Sequence, residues 1–349
     1  MSAVAAVTVA VDAMGADLGP AEVAAGAATA AAQGVRVLLF GAADAIGEVA
    51  DGVEVVDAPL SIAKAPDPVL AVRSTPESSI VQAARAVGEG RAQALVAGGS
   101  TGAALAAGLF NIKRASGIFR PALAIPIPVP GRPVTLLDVG ANAESRPEHL
   151  VQFAFMGAAL AQVVLGVDQP RIGLLSNGEE EMKGTPLVRE AHEKLAGSPL
   201  RFVGNVEGLD LTSGVADVIV TDGFTGNVAL KVAEGVSQTM LEAVRAAAMS
   251  SSRAKLGGAL LRPSLRGLRD QLDPEGPGGA YLLGLRQLGV VPHGRFTRFG
   301  WSQAILLAAR GVSGDVVGRT HLALEAAGAL RARGDGLSSG DLSTVPGQQ

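Results

Sequence analysis

The sequence predicts an α/β fold built on a largely parallel sheet, and three observations carry that expectation. At 349 residues, 48% of them hydrophobic, the chain is long enough to bury the core of one large α/β unit. Short β-branched or leucine-rich runs alternate with longer Ala-, Gly- and Glu-rich segments from Val7 to about Met249, the pattern of successive βαβ units. The runs also end in glycine or small polar residues, as strands do where they leave a sheet.

In chain order the expected strands are VTVAV (7–11), VRVLLF (35–40), VEVV (53–56), ALVA (94–97), VTLL (134–137), RIGLL (171–175), LRFVG (200–204) and DVIVT (217–221). Their exits carry Asp12 to Gly15, Gly41, Asp57, Gly98 to Ser100, Asp138 to Asn142, Ser176 to Gly178, Asn205, and Asp222 with Gly223. In a parallel sheet all these exits share one edge, where open α/β sheets bind ligands. Convergence of the exits is therefore the working expectation.

Several segments need separate comment. The N-terminal stretch MSAVAAVTVAVDAMG lacks a basic leader and runs into alternation, which suits a first strand and a cytoplasmic protein. Leu150–Val167 has no charged residue but contains Gln152 and Gln162 and lies between two strands. It reads as a buried crossover helix opened by Pro147 and Glu148. Thr225 is placed to cap the helix that follows, NVALKVAEGVSQTMLEAVRAAAM. From about residue 246 to 272 the texture becomes basic and amphipathic, with Arg253, Lys255, Arg262 and Arg266 among Leu260, Leu261 and other leucines. Pro263 is expected to split this stretch into two short helices. Residues 1–333 read as one domain and 334–349, small and polar without periodicity, as a disordered tail.

Composition excludes several classes of function. With no cysteine there is no disulfide, thiolate metal site or acyl-thiol intermediate. A net charge of -4 and 3% aromatic residues argue against nucleic acid as a partner. No G-x-G-x-x-G follows a strand, no P-loop occurs, and no histidine pair has ligand spacing, so nicotinamide, nucleotide and metal binding are only weakly supported, although Asp12, Asp17 and Asp222 are strand-end carboxylates that could bind a cation.

Two motifs carry chemistry. Gly98 to Gly102 reads G-x-S-x-G between a strand and a helix, the setting of a nucleophile elbow with Ser100 as nucleophile. That reading needs a histidine, and of the four only His293 lies in a suitable loop; the alternative is an anion-binding turn formed by Ser100, Thr101 and Gly102. The second motif is SNGEEEMKGTP (176–186), where Lys183, one of six lysines against 23 arginines, sits beside glycine in a strand-exit loop suited to phosphate.

Together the segments VAVDAMG, RPALA, LLDVGANAESRPEHLVQFAFMG, EEEMKG, GNVEGLDL, DVIVTDGFTGNVALK, PGGAYLLGL and PHG resemble the PlsX family of phosphate acyltransferases, in family order from Val9 to about His293. Ala16 and Leu18 stand where that family usually has glycine and histidine, and Ser100 where it has asparagine. The resemblance implies a three-layer αβα fold similar to phosphotransacetylases and to isocitrate and isopropylmalate dehydrogenases, formed as a homodimer. It implies that acyl-acyl-carrier protein and inorganic phosphate become acyl phosphate without a cofactor, and that Lys183 and Asn227 occupy catalytic positions. It also implies that the basic element contacts an anionic membrane surface or the carrier.

On this basis Lys183 is expected to hold the phosphate and Asn227 to donate to the carbonyl oxygen. The turns Ser100-Thr101-Gly102 and Gly140-Ala141-Asn142 supply further amides, with Gly15, Gly178 and Gly226 giving close backbone approach. Asp12, Asp222 and Thr225 order the loops. The competing expectations are a Ser100 hydrolase and a non-catalytic lipid or carrier sensor.

Overall fold

The computed structural model describes residues 6–127, 133–271, 273 and 275–331; the expected tail beyond Arg333 lies outside them. The first half runs β1 (Thr8–Asp12), α1 (Pro20–Ala31), β2 (Arg36–Gly41), α2 (Ala43–Ile46), β3 (Val53–Asp57), α3 (Pro68–Ser74), α4 (Ser79–Gly88), β4 (Ala94–Ala97) and α5 (Thr101–Ala107). The second runs β5 (Ala122–Ile127), β6 (Val134–Leu137), α6 (Pro147–Leu160), β7 (Ile172–Leu175), α7 (Pro186–Ala196), β8 (Phe202–Val206), β9 (Val218–Val220), α8 (Gly223–Met249) and α9 (Ser252–Gln271). The chain then returns through β10 (Ala280–Leu283), β11 (Leu288–Val291), α10 (Arg298–Ser313) and α11 (Val316–Ala326).

All eight expected strands are present, and β5, β10 and β11 are additional. The strands form one 11-stranded sheet in the order β3-β2-β1-β4-β11-β10-β5-β6-β9-β7-β8. Period-two alternation sends Val9, Val11, Ala94 and Val96 to one face, under α1, α6, α7, α10 and α11. Ala10, Leu95 and Ala97 go to the other face, under α3, α4 and α5. The result is three αβα layers with the sheet in the middle.

Neighbouring strands are parallel except at β10–β11, β10–β5 and β5–β6. Those three antiparallel pairings reverse the direction of everything beyond them. Consequently β6, β9, β7 and β8 run opposite to β1, β2, β3, β4 and β11. The expectation of a single edge for all strand exits is therefore corrected. Asp12, Gly15 and Ser100 leave from one edge; Asp138, Ser176 and Asp222 leave from the other.

The charge-free segment is the crossover helix α6 between β6 and β7, carried on by a wider turn over Ala161–Leu165. Leu150, Phe153, Phe155, Met156 and Leu160 are all buried. Each such side chain removed from water stabilises the fold by roughly 1.5–3 kcal/mol, which is why this segment lies in the interior.

The basic element is a helical hairpin larger than expected. Pro263 does not divide it, because α9 is helical from Ser252 to Gln271. The break falls at Ser250-Ser251, where the Ser251 hydroxyl accepts the Ala254 N–H at 3.1 Å and caps the second helix. The exposed arm begins within the first turns of α8, well before residue 246.

Candidate functional site

Asp138, at the end of β6, organises the second edge. It is fully buried and accepts the N–H groups of Leu123, Gly140, Ala141 and Asn142, the last at 2.8 Å, together with Nδ2 of Asn142 at 2.9 Å. Burial raises its pKa, and the donors from Leu123, Asn142 and Ala141 oppose that shift. This corrects the phosphate cradle expected of residues 140–142: their amides point inward at Asp138. Asn142 is likewise engaged, since its Nδ2 also donates to the Pro121 carbonyl at 2.7 Å. A buried carboxylate must be satisfied, and this loop satisfies it.

The first turn of α8 packs directly on that loop. A Cβ on Gly226 would meet the Asp138 carbonyl at 1.9 Å, and one on Gly223 the Asn142 carbonyl at 2.3 Å. Glycine at these positions lets the helix end approach backbone, rather than leaving room for a ligand. The helix cap is Asp222, not Thr225. Asp222 accepts the Thr225 N–H at 2.9 Å and the Thr225 hydroxyl at 2.7 Å, so the helix starts before Thr225. Asn227 is exposed one turn further on, where a Cβ on Gly140 would lie 3.7 Å from its side chain.

Lys183 emerges from the loop between β7 and α7 and is exposed. Its N–H donates to the Glu180 carbonyl at 2.9 Å, and its stem lies over buried Gly178, where a Cβ would come within 2.8 Å of Lys183 Cγ. Thr185 caps α7 by accepting the Val188 N–H. Lys183 and Asn227 thus share one edge, beside β7 and β9.

The first-edge residues form a separate group. Gly15 and Gly99 interlock: a Cβ on Gly15 would meet the Gly98 carbonyl at 2.1 Å, and one on Gly99 the Gly15 carbonyl at 2.3 Å. Asp12 is buried and its carboxyl is pushed up to about 6 by burial, against the opposing bond from the Met14 N–H at 3.0 Å. Ser100 is the N-cap of α5, its hydroxyl accepting the Ala103 N–H at 3.2 Å, with Thr101 and Gly102 in the first turn. His293 Nδ1 accepts the Arg295 N–H at 3.2 Å, and partial burial with the Arg295 and Lys231 cations lowers its pKa. Neither a serine–histidine bond nor a strained elbow is formed, so the hydrolase expectation is withdrawn.

Helix α8 spans the two groups. It starts on the Asp138 loop, and its Lys231, paired with Glu234 at 2.8 Å, lies near enough to His293 to influence its charge. Among the described residues no three histidine or carboxylate side chains gather to hold a metal ion. The organiser that sequence reading missed as a site residue is Asp138; its signal was the DVGAN turn, an aspartate followed at once by residues whose amides it can collect.

Comparison with known proteins follows this geometry. The sequence model of the family described as fatty acid synthesis protein matches residues 7–319. A phosphate acyltransferase of Gloeobacter violaceus is 44% identical over 323 residues, 90% of this chain and 95% of its own length. That of Geobacillus thermodenitrificans is 42% identical over 323 residues, 91% of this chain and 98% of its own. Among solved structures, a phosphotransacetylase from Streptococcus pyogenes superposes with a TM-score of 0.59 at 16% identity, over 88% of this chain and 94% of that one. The EutD phosphotransacetylase of Staphylococcus aureus gives 0.58 at 15% identity over the same shares. These structural likenesses concern the fold.

Proposed function

The chain belongs to the fatty acid synthesis protein family, whose members include phosphate acyltransferases, and from that premise we infer that it makes acyl phosphate from acyl-acyl-carrier protein and inorganic phosphate. The observation that carries this reading is the 44% identity to a phosphate acyltransferase across 90% of the chain, spanning both sheet edges. A phosphate oxygen attacks the thioester carbonyl carbon, an O–C bond forms, and the C–S bond breaks. The carrier leaves as a thiolate, and the proton lost from phosphate passes to solvent or to that thiolate. No enzyme nucleophile takes part, so a chain without cysteine suffices.

We assign the steps to the second edge. Lys183, a flexible exposed ammonium, holds the phosphate and offsets the developing charge. Asn227, exposed beside Gly140, donates its side-chain N–H to the carbonyl oxygen as it becomes an oxyanion. Asp138 and Asp222 fix the loop and helix end from which Asn227 projects. Ser100, Thr101 and Gly102 have no step in this scheme, because they exit at the opposite edge.

Two finer readings accompany it. The first is a homodimer, supported by the stripe Phe224, Val228, Val232, Val236, Met240 and Val244 on α8, each at least 46% exposed and spaced by four. The second is peripheral contact of α9 with an anionic bilayer at the cytoplasmic face. It is supported by exposed Leu256, Leu260 and Leu261 beside exposed Arg253, Lys255, Arg262 and Arg266.

Kinetics of two variants test the assignment. Lys183→Ala and Asn227→Ala should each lose roughly 2–4 kcal/mol of transition-state stabilisation, about 30- to 10³-fold in kcat, with an unchanged melting temperature. Turnover close to wild type in both would overturn the assignment.

A further inference from the structure

We propose that Asn205, on β8, is a positioning residue that holds the Lys183 loop in its working place, with His192 of α7 holding Asn205 in turn. The proposal rests on the reading of Lys183 as the phosphate-binding group. Asn205 is 5% exposed, and its Nδ2 donates to the Glu180 carbonyl at 2.8 Å. The same carbonyl accepts the Lys183 N–H at 2.9 Å. One oxygen therefore ties the backbone of Lys183 to a side chain anchored in the sheet.

The orientation of Asn205 is itself fixed. His192 Nδ1 lies 3.0 Å from Asn205 Oδ1, and His192, 9% exposed, packs edge-on against Phe202 with ring centroids 5.0 Å apart. With its amide nitrogen facing a carbonyl, Asn205 must accept at Oδ1, so the proton sits on His192 Nδ1. The reversed amide would set its oxygen against the Glu180 carbonyl oxygen and lose the bond to the Lys183 loop.

A register irregularity makes the relay possible. Ile172 pairs with Phe202 but Gly173 pairs with Gly204, so Val203 is an extra residue in β8. Without that bulge, Phe202 and Asn205, three apart, would point to opposite faces. With it, both reach His192. Gly204 sits at φ +95, a conformation in which any other side chain is strained.

Steady-state kinetics, varying inorganic phosphate and acyl-acyl-carrier protein separately, test the relay. Asn205→Asp keeps the acceptor for His192 but sets a carboxyl oxygen against the Glu180 carbonyl in place of the donor, and adds a buried charge. It should therefore be impaired at least as much as Asn205→Ala, each raising KM for phosphate roughly 10- to 100-fold, the scale of a 1 Å misplacement, while KM for the acyl carrier stays unchanged. His192→Ala should shift phosphate KM in the same direction. His192→Asn, whose Nδ2 takes the place of Nδ1, should restore it, which keeps the test available if the Asn205 variants fold poorly. A wild-type phosphate KM in Asn205→Asp, or equal changes in both KM values, would overturn the relay. Lys183→Ala separates the two levels. If it is impaired while Asn205→Asp is normal, the relay alone fails; if Lys183→Ala is normal, the reading beneath it fails as well.

Discussion

Asp12 is a carboxyl whose environment makes a measurable demand on the fold. Its pKa is pushed from 3.8 to about 6 by burial, so the folded state binds the proton more tightly than the unfolded chain. The sign follows from linkage: this contribution to stability is complete below about pH 4 and is lost as pH rises through about 6, by roughly 3 kcal/mol. Asp12→Asn should remove that slope. Urea unfolding of both proteins between pH 4 and 7 checks it, and parallel curves would exclude a perturbed Asp12. Side chains of this kind were only half legible in the sequence. The aspartates Asp12 and Asp222 were recognised as loop-ordering groups, and both accept loop or helix-cap N–H groups. Asn142 and the amides around it suggest a ligand-facing turn, but the buried Asp138 carboxylate, two to four residues upstream, takes them first. Sequence shows that donors are close together; it does not show which acceptor is buried among them.

Among the helices and strands, legibility followed periodicity. The strands of the βαβ units alternate with long helices and were readable. The three that were missed, β5, β10 and β11, are obscured for two different reasons. β5 contains Pro126, which reads against a central strand. The other two are four residues each in a tight antiparallel pair. Those same strands reverse half of the sheet, so overlooking them produced the single-edge expectation. The hairpin shows the opposite case: Pro263 reads as the break, but the helix boundary falls at Ser250-Ser251, where the Ser251 hydroxyl caps α9. Its exposed leucines and cations lead to a prediction. The protein should float with vesicles rich in anionic lipid, and Leu260→Asp with Arg262→Glu should abolish flotation while leaving turnover on soluble acyl carrier unchanged. Flotation of that double variant at wild-type levels would remove the membrane role from α9.

For the molecule as a whole, α8 carries the exposed apolar residues Phe224, Val228, Val232, Val236, Met240 and Val244. Under the proposed dimer, a second copy would cover these side chains, each of which is exposed in the single chain. Val236→Asp should convert a dimer of about twice 35.0 kDa into a monomer by light scattering. A dimer that survives this change would place the interface elsewhere. The resemblance to phosphate acyltransferases was legible because its segments run in order along most of the chain, and the family match over residues 7–319 agrees with it. The central claim is that phosphate itself attacks the thioester without an enzyme-bound acyl group. The most direct measurement is mass spectrometry of the product formed from palmitoyl-acyl-carrier protein and phosphate labelled with ¹⁸O on all four oxygens. Acyl phosphate retaining all four labels, with none formed when phosphate is omitted, is the predicted result. Free fatty acid formed at the same rate with or without phosphate, or acyl group found covalently on the protein, would contradict it.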